Sequence, residues 1–235
     1  MHLDCAVLVV GAGCGGTAAA LSATRLGHTV ILTEPTSRVG GQLTTQAVPP
    51  DEHPWVESTG VTASYRRLRD GVREHYRRTR PLTPAAKGAA HLNPGQAWVS
   101  GLSAEPVVFH EVLREMLAPA VERGLLRVLT RHRPVAVEVT GDRVDAVTFV
   151  DERDGGTVRV TARHVLDASE EGDLLPLAGA EHVLGAESRA QTGEPHALDG
   201  PADPADQQGV TWCAALELRP GGDNLVPRPA SYPFW

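Results

Sequence analysis

A chain of 235 residues, 41% hydrophobic and with 24 Gly, is long enough to bury a core without metal or disulfide staples and too apolar to be disordered throughout. Its net charge of −7 argues against a nucleic-acid binder. Cys5, Cys14 and Cys213 are too few and too scattered for a disulfide framework, a zinc knuckle or a Cys-ligated iron–sulfur cluster, so no metal ligands are expected.

In chain order, Ala6–Val10 is an uninterrupted apolar run of strand length, as in a parallel strand covered on both faces. Residues 11–16 form a glycine-rich turn, 17–26 read as a helix stopped by Gly27, and 29–34 as a second strand ending on a carboxylate. Residues 35–60 read as loop with one helical turn near Gly41. Residues 61–79 read as a helix, with Val61, Tyr65, Leu68, Val72 and Tyr76 on one face and Arg66, Arg69, Arg73, Arg77 and Arg80 along another. Residues 81–102 are expected as loop, and Pro106 opens a helix running to about Leu117. From Leu126 the pattern alternates around turns at Thr140-Gly-Asp and Glu152-Arg-Asp-Gly-Gly, predicting a three-stranded antiparallel meander over 126–162. Val165-Leu-Asp then returns to the main sheet, and 174–178 form a short helix. Residues 186–209 read as polar loop and 210–218 as a last strand.

The strongest motif is Gly11-Ala-Gly13-Cys-Gly-Gly16, a GxGxxG between a predicted strand and helix. The first glycine permits the tight turn, the second lets a pyrophosphate approach the backbone, and the third lets helix and strand pack closely. The helix N-terminus offers free N–H groups and positive dipole to the phosphates. Glu34, 18 residues beyond Gly16, ends the second strand where a carboxylate can accept hydrogen bonds from a ribose diol. The same carboxylate would repel a 2′-phosphate, so FAD or NAD is expected and NADP is not.

Arg38-Val-Gly40-Gly41-Gln42 resembles the Arg-x-Gly-Gly extension of FAD-dependent oxidoreductases with a glutathione-reductase-like fold. The meander followed by His164-Val-Leu-Asp-Ala-Ser169-Glu-Glu-Gly-Asp173 is similar to that family too, with Ser169 in place of Thr and Glu170 in place of Gly. Further stretches, His53-Pro-Trp55 and Glu187-Ser-Arg-Ala-Gln-Thr-Gly-Glu194 among them, look similar to bacterial members. The resemblance implies an α/β, Rossmann-type FAD-binding domain with a parallel sheet, a helical insertion at about 45–120 and the antiparallel meander. Residues 1–180 would form that domain, and 181–235 the start of an incomplete substrate domain. It implies FAD contacts from Gly11, Gly13, Cys14, Gly15, Gly16, Glu34, Arg38, Gly41, Gln42, Val135, Ala168 and Ser169.

The expected function is therefore a flavin-dependent oxidoreductase acting on a small-molecule substrate, with no nucleic acid or membrane partner. Family members continue past this point to a late Gly-Asp segment, so an N-terminal portion of such an enzyme is expected. An NAD-dependent dehydrogenase and a catalytically inactive nucleotide-binding fragment are the alternatives. No apolar run approaches the roughly 18 residues of a membrane span, and the opening lacks a basic-then-apolar order, so a cytoplasmic protein is expected. No catalytic base is identifiable. The arginine-rich face is expected to be solvated, with local pairing to Asp70 and Glu74. Cys14 is expected mainly as a small packing residue, and Glu170, Glu171 and Asp173 as carboxylates at a helix start.

Overall fold

The computed structural model describes residues 1–46, 48–209, 219–225 and 227–234. The strand expected at 210–218 and the terminal Trp235 lie outside them.

The first strand, β1 (His2–Val10), is followed by α1 (Cys14–Arg25) and β2 (Val30–Glu34). Helices α2 (Gln42–Thr45), α3 (Ala63–Thr79), α4 (Pro84–Gly88) and α5 (Pro106–Glu122) then lead to β3 (Leu126–Thr130). Strands β4 (His132–Thr140), β5 (Arg143–Asp151) and β6 (Thr157–Asp167) follow, then α6 (Leu174–Ala178), α7 (Arg189–Thr192) and a 3₁₀ turn at Tyr232–Phe234.

The six strands among the described residues join one sheet in the order β3-β2-β1-β6-β5-β4. Strands β3, β2, β1 and β6 run parallel, while β6, β5 and β4 are antiparallel neighbours. This is a Rossmann-type α/β fold. It corrects the expected meander in two ways. Leu126–Thr130 is not part of it but the parallel edge strand beside β2, because an apolar run of five carries no sign of its pairing partner. The third meander strand and the strand returning to the main sheet are also one continuous β6. Thr157–Thr161 pairs with β5, and residues from Arg159 to Asp167 pair along β1 as far as Val10.

Side-chain alternation along the central strands separates two cores. Val7, Val9, Val30 and Leu32 point toward α1, α3 and α5, where Leu68, Val72, Phe109, Val112 and Leu113 complete a buried cluster. Leu8, Val10 and Ile31 point the other way, against Val147, Phe149, Val160 and Leu174 from the antiparallel half and α6. Helix α5 outruns its predicted end near Leu117 by five residues, with Pro119 inside its last turn.

The arginine face is not solvated as expected. Arg69 is fully buried and Arg73 is 2% exposed. Arg69 pairs with Glu52 and Glu57, and Arg73 pairs with Glu57 while its Nε donates to the Leu92 carbonyl at 3.0 Å. Arg66 donates to the Val56 and Glu57 carbonyls at 2.8 and 3.1 Å, and Arg77 to the Ala89 carbonyl at 2.9 Å. The i, i+3, i+7, i+11 spacing of these four arginines puts them on one stripe of α3. That stripe ties down the loops at 50–60 and 89–101. The last turn matches the solvated expectation, with Glu74 and Arg77 pairing locally at 3.8 Å and Arg80 exposed.

Candidate functional site

Strands β1, β2 and β6 end together, and the chain leaves β1 through the glycine turn. The Gly11 N–H donates to the Thr33 carbonyl at 3.1 Å, and the Ala168 N–H donates to the Val10 carbonyl at 2.8 Å. The turn is thereby held between the ends of its neighbouring strands. Gly11 has φ +94°, and a Cβ there would land on the Ala168 backbone. A Cβ on Gly16 would strike the Gly11 carbonyl oxygen. These two glycines are therefore required by the turn itself.

Glu34 is 5% exposed. Its Oε2 accepts the Ala12 N–H at 3.0 Å and its Oε1 the Thr36 N–H at 2.9 Å. The carboxylate thus braces the glycine turn, and each oxygen keeps a lone pair for a further donor. The second glycine turn is tied to the first, the Gly40 N–H donating to the Ala12 carbonyl at 2.7 Å. Gly13 and Gly41 face one notch between the two turns, and a side chain on either would fill it against the Glu170 carboxylate.

Two clefts meet at this notch and share Gly13, Gln42, Ala168 and Glu170 as lining. On the Glu34 side a cleft of about 550 Å³ is walled by Gly11, Thr33, Thr36, Pro134 and Ser169. On the other side a cleft of about 660 Å³ is walled by Cys14, Leu43, Val48, Pro49, Tyr65 and Val99. A carboxylate at one end, an anion-receptive helix N-terminus in the middle and a mostly apolar wall at the other end suit an elongated nucleotide with a flat ring. A diphosphate would fit the notch region with the Glu170 side chain turned out of it, because its two glycines leave backbone open to close approach and α1 begins there.

Of the residues expected at the site, Gly11, Gly13, Glu34, Gly41, Gln42, Ala168 and Ser169 line the first cleft, and Cys14 and Gly15 the second. Gly16 is buried behind the turn. Arg38 lines neither cleft, its Nη1 donating instead to the Thr44 carbonyl at 3.2 Å. Val135 lines neither as well; its neighbour Pro134 does, since period-2 alternation turns adjacent strand residues to opposite faces.

Cys14 is exposed and faces the second cleft rather than packing, because it opens α1 on the helix side away from the sheet. Partial desolvation of the sulfur, and then the Glu170 charge, push its thiol pKa up. Helix α6 is not capped by the carboxylates just before it. Asp173 makes no cap bond, and the Leu174 N–H is taken at 2.9 Å by Asp167 from the end of β6. Burial, followed by Asp167 and Glu171, raises the Asp173 pKa.

Sequence reasoning missed Tyr65 as a wall of the cleft. Its hydroxyl donates to Glu52 at 2.8 Å, and burial together with that carboxylate pushes its pKa well up. The available signal was its place on the apolar stripe of α3, which marked it as core. Pro49 and Pro50 carried no signal, since a loop's course over the sheet is set by its arginine anchors.

A family model described as FAD dependent oxidoreductase matches residues 6–231. No curated protein matches the chain. Among solved structures, the chain is similar to a flavoprotein/dehydrogenase from Cytophaga hutchinsonii (17% identity, TM-score 0.48, 75% of this chain and 42% of that one). It is also similar to the myxobacterial chondrochloren halogenase CndH, a variant of FAD-dependent halogenases (20%, 0.46, 71% and 37%). A third is the glycerol-3-phosphate dehydrogenase from Bacillus halodurans complexed with FAD (16%, 0.45, 71% and 34%). The chain spans roughly a third to two fifths of the length of these structures.

Proposed function

Because the chain belongs to the FAD dependent oxidoreductase family and has FAD as its cofactor, we propose that it forms the dinucleotide-binding part of an enzyme that oxidises a small-molecule substrate. The observation that carries this reading is the meeting of Glu34 and both glycine turns at one notch between two clefts. Glu34 would accept the adenosine ribose hydroxyls, the Gly13 turn and the start of α1 would hold the diphosphate, and the Cys14–Tyr65 cleft would face the flavin half. When bound, FAD supplies an acceptor for an electron pair, taken as a hydride from substrate. The apolar wall of Leu43, Val48, Pro49 and Val99 would keep water from that end.

The Arg38-x-Gly-Gly turn and the Asp167–Asp173 segment support placing the chain among the glutathione-reductase-like members, and further stretches look similar to bacterial ones. On that reading residues 1–180 are the FAD-binding domain and 181–235 belong to a substrate domain. None of the helices among the described residues is long and apolar enough to cross a membrane, and a cytoplasmic enzyme is the accompanying proposal.

Calorimetric titration of the full chain with FAD, ADP and NADP tests the reading. Saturable FAD and ADP binding with no NADP binding is expected, since Glu34 repels a 2′-phosphate. Failure to bind FAD, or equal binding of NADP, would overturn the assignment of this site.

A further inference from the structure

The notch between Gly13 and Gly41 holds the Glu170 carboxylate. Its Oε1 lies 2.8 Å from where a Cβ on Gly13 would stand and 2.5 Å from where one on Gly41 would. Glu170 also lines both clefts, at their junction. The loop presenting it is braced by its own short bonds. Asp167 accepts from the Ser169 hydroxyl at 2.6 Å and the Leu174 N–H at 2.9 Å, and the Ser169 hydroxyl accepts the Asp173 N–H at 2.7 Å. Glu170 takes no part in that network. The residue is exposed, and among the described residues its carboxylate has no hydrogen-bond or ion-pair partner. Its backbone is therefore fixed while its side chain is free to turn.

We propose that Glu170 is a movable plug that competes with the dinucleotide's pyrophosphate for the notch. This rests on the dinucleotide reading above. The reason is that both are anions drawn to the same place. A helix N-terminus favours negative charge, and the two glycines leave room for one group of that kind to approach the backbone. Glu170 and a pyrophosphate together would put like charges in contact, and each would disfavour the other. The carboxylate must swing toward solvent for a ligand to span both clefts. That requirement falls on any ligand carrying a pyrophosphate and spares a nucleoside without one.

The test compares the full wild-type chain with E170A and E170Q by calorimetry, using FAD, ADP and adenosine. E170A should bind FAD and ADP at least about tenfold more tightly, with adenosine affinity unchanged within about twofold. E170Q, which keeps the bulk and loses the charge, should fall between wild type and E170A. Unchanged or weakened FAD and ADP binding in E170A, with wild-type binding intact, would overturn the plug alone. An equal gain for adenosine would also overturn it, since the gain would then come from general opening of the cleft. Absence of FAD binding by all three proteins would overturn the dinucleotide reading, and the plug with it.

Discussion

A side chain at Gly13 and one at Gly16 would meet very different neighbours, although both glycines belong to one turn. At Gly16 the obstacle is the Gly11 carbonyl, and at Gly11 it is the Ala168 backbone together with φ +94°. The first cannot yield without moving α1 off the turn, nor the second without parting the end of β1 from that of β6. At Gly13 the backbone is extended, φ −61° and ψ −170°, and the obstacle is the free end of Glu170. Substitution at these positions should therefore separate folding from binding. G11A and G16A are expected to lose roughly 2–5 kcal/mol of stability from strain and overpacking. G13V is expected to stay within about 1 kcal/mol of wild type while losing FAD. Urea denaturation beside flavin retention on gel filtration checks both. Wild-type flavin content in G13V would show that the notch does not hold the cofactor.

At the scale of an element, α3 is an anchor with two stripes. Leu68, Val72 and Tyr76 seat it against the sheet-side core, while Arg66, Arg69, Arg73 and Arg77 hold the loops beside the clefts. The buried Arg69–Glu52 pair is sensitive to the loss of one partner, since removing Arg69 leaves a buried carboxylate with the Tyr65 hydroxyl but no counter-charge in contact. R69A should cost about 3–5 kcal/mol, and E52M/R69M should recover much of that by replacing charge with apolar bulk. R78A, on the exposed side, should change stability by less than about 0.5 kcal/mol. Equilibrium denaturation of the three variants is the measurement, and an R69A protein as stable as wild type would remove the anchor role.

Glu57 gives the same anchor a pH dependence. Burial works against its ionisation, but hydrogen bonds and charge from Arg73 and Arg69 outweigh that and lower its pKa from 4.5 to about 2. A carboxyl whose pKa is lower in the folded state stabilises fully above its unfolded value and loses that contribution as pH falls through the folded one. The loops should thus loosen between about pH 4.5 and pH 2. E57Q should be less stable at neutral pH and show a flatter profile across that window. Thermal unfolding from pH 7 down to pH 2 would reveal a profile parallel to wild type if Glu57 is not the group responsible.

At the scale of the whole molecule, the site belongs to no single element. Its floor comes from β1, β2 and β6, its far walls from the α2 and α3 region, and its Pro134 edge from β4. A ligand joining these parts should stabilise the fold as a unit. FAD at a hundred times its dissociation constant contributes about 2.7 kcal/mol, which for a chain of this size raises Tm by roughly 5–10 °C. Adenosine, which would reach only the Glu34 side, shifts Tm equally at equal saturation, so the two ligands differ in which segments they protect. Scanning fluorimetry checks the shift, and hydrogen exchange locates the protection. Protection of 50–60 and 89–101 by FAD, and not by adenosine, is expected.

The sequence by itself determined the strand–turn–helix–strand unit, because its glycines and apolar run act within a few residues of one another. It also determined the acidic strand end and the period of α3. Local sterics and helical spacing are legible without a partner. It did not determine which strand Leu126–Thr130 pairs with, whether β6 is one strand or two, or that the α3 arginines are buried. Pairing register and burial depend on residues far apart in the chain, and Arg69 reads as a surface residue until Glu52 and Glu57 fold over it. The position of Glu170 is of the same kind. Its neighbours in sequence suggest a helix cap, and only the approach of β6 to the glycine turn brings its carboxylate to the notch between Gly13 and Gly41.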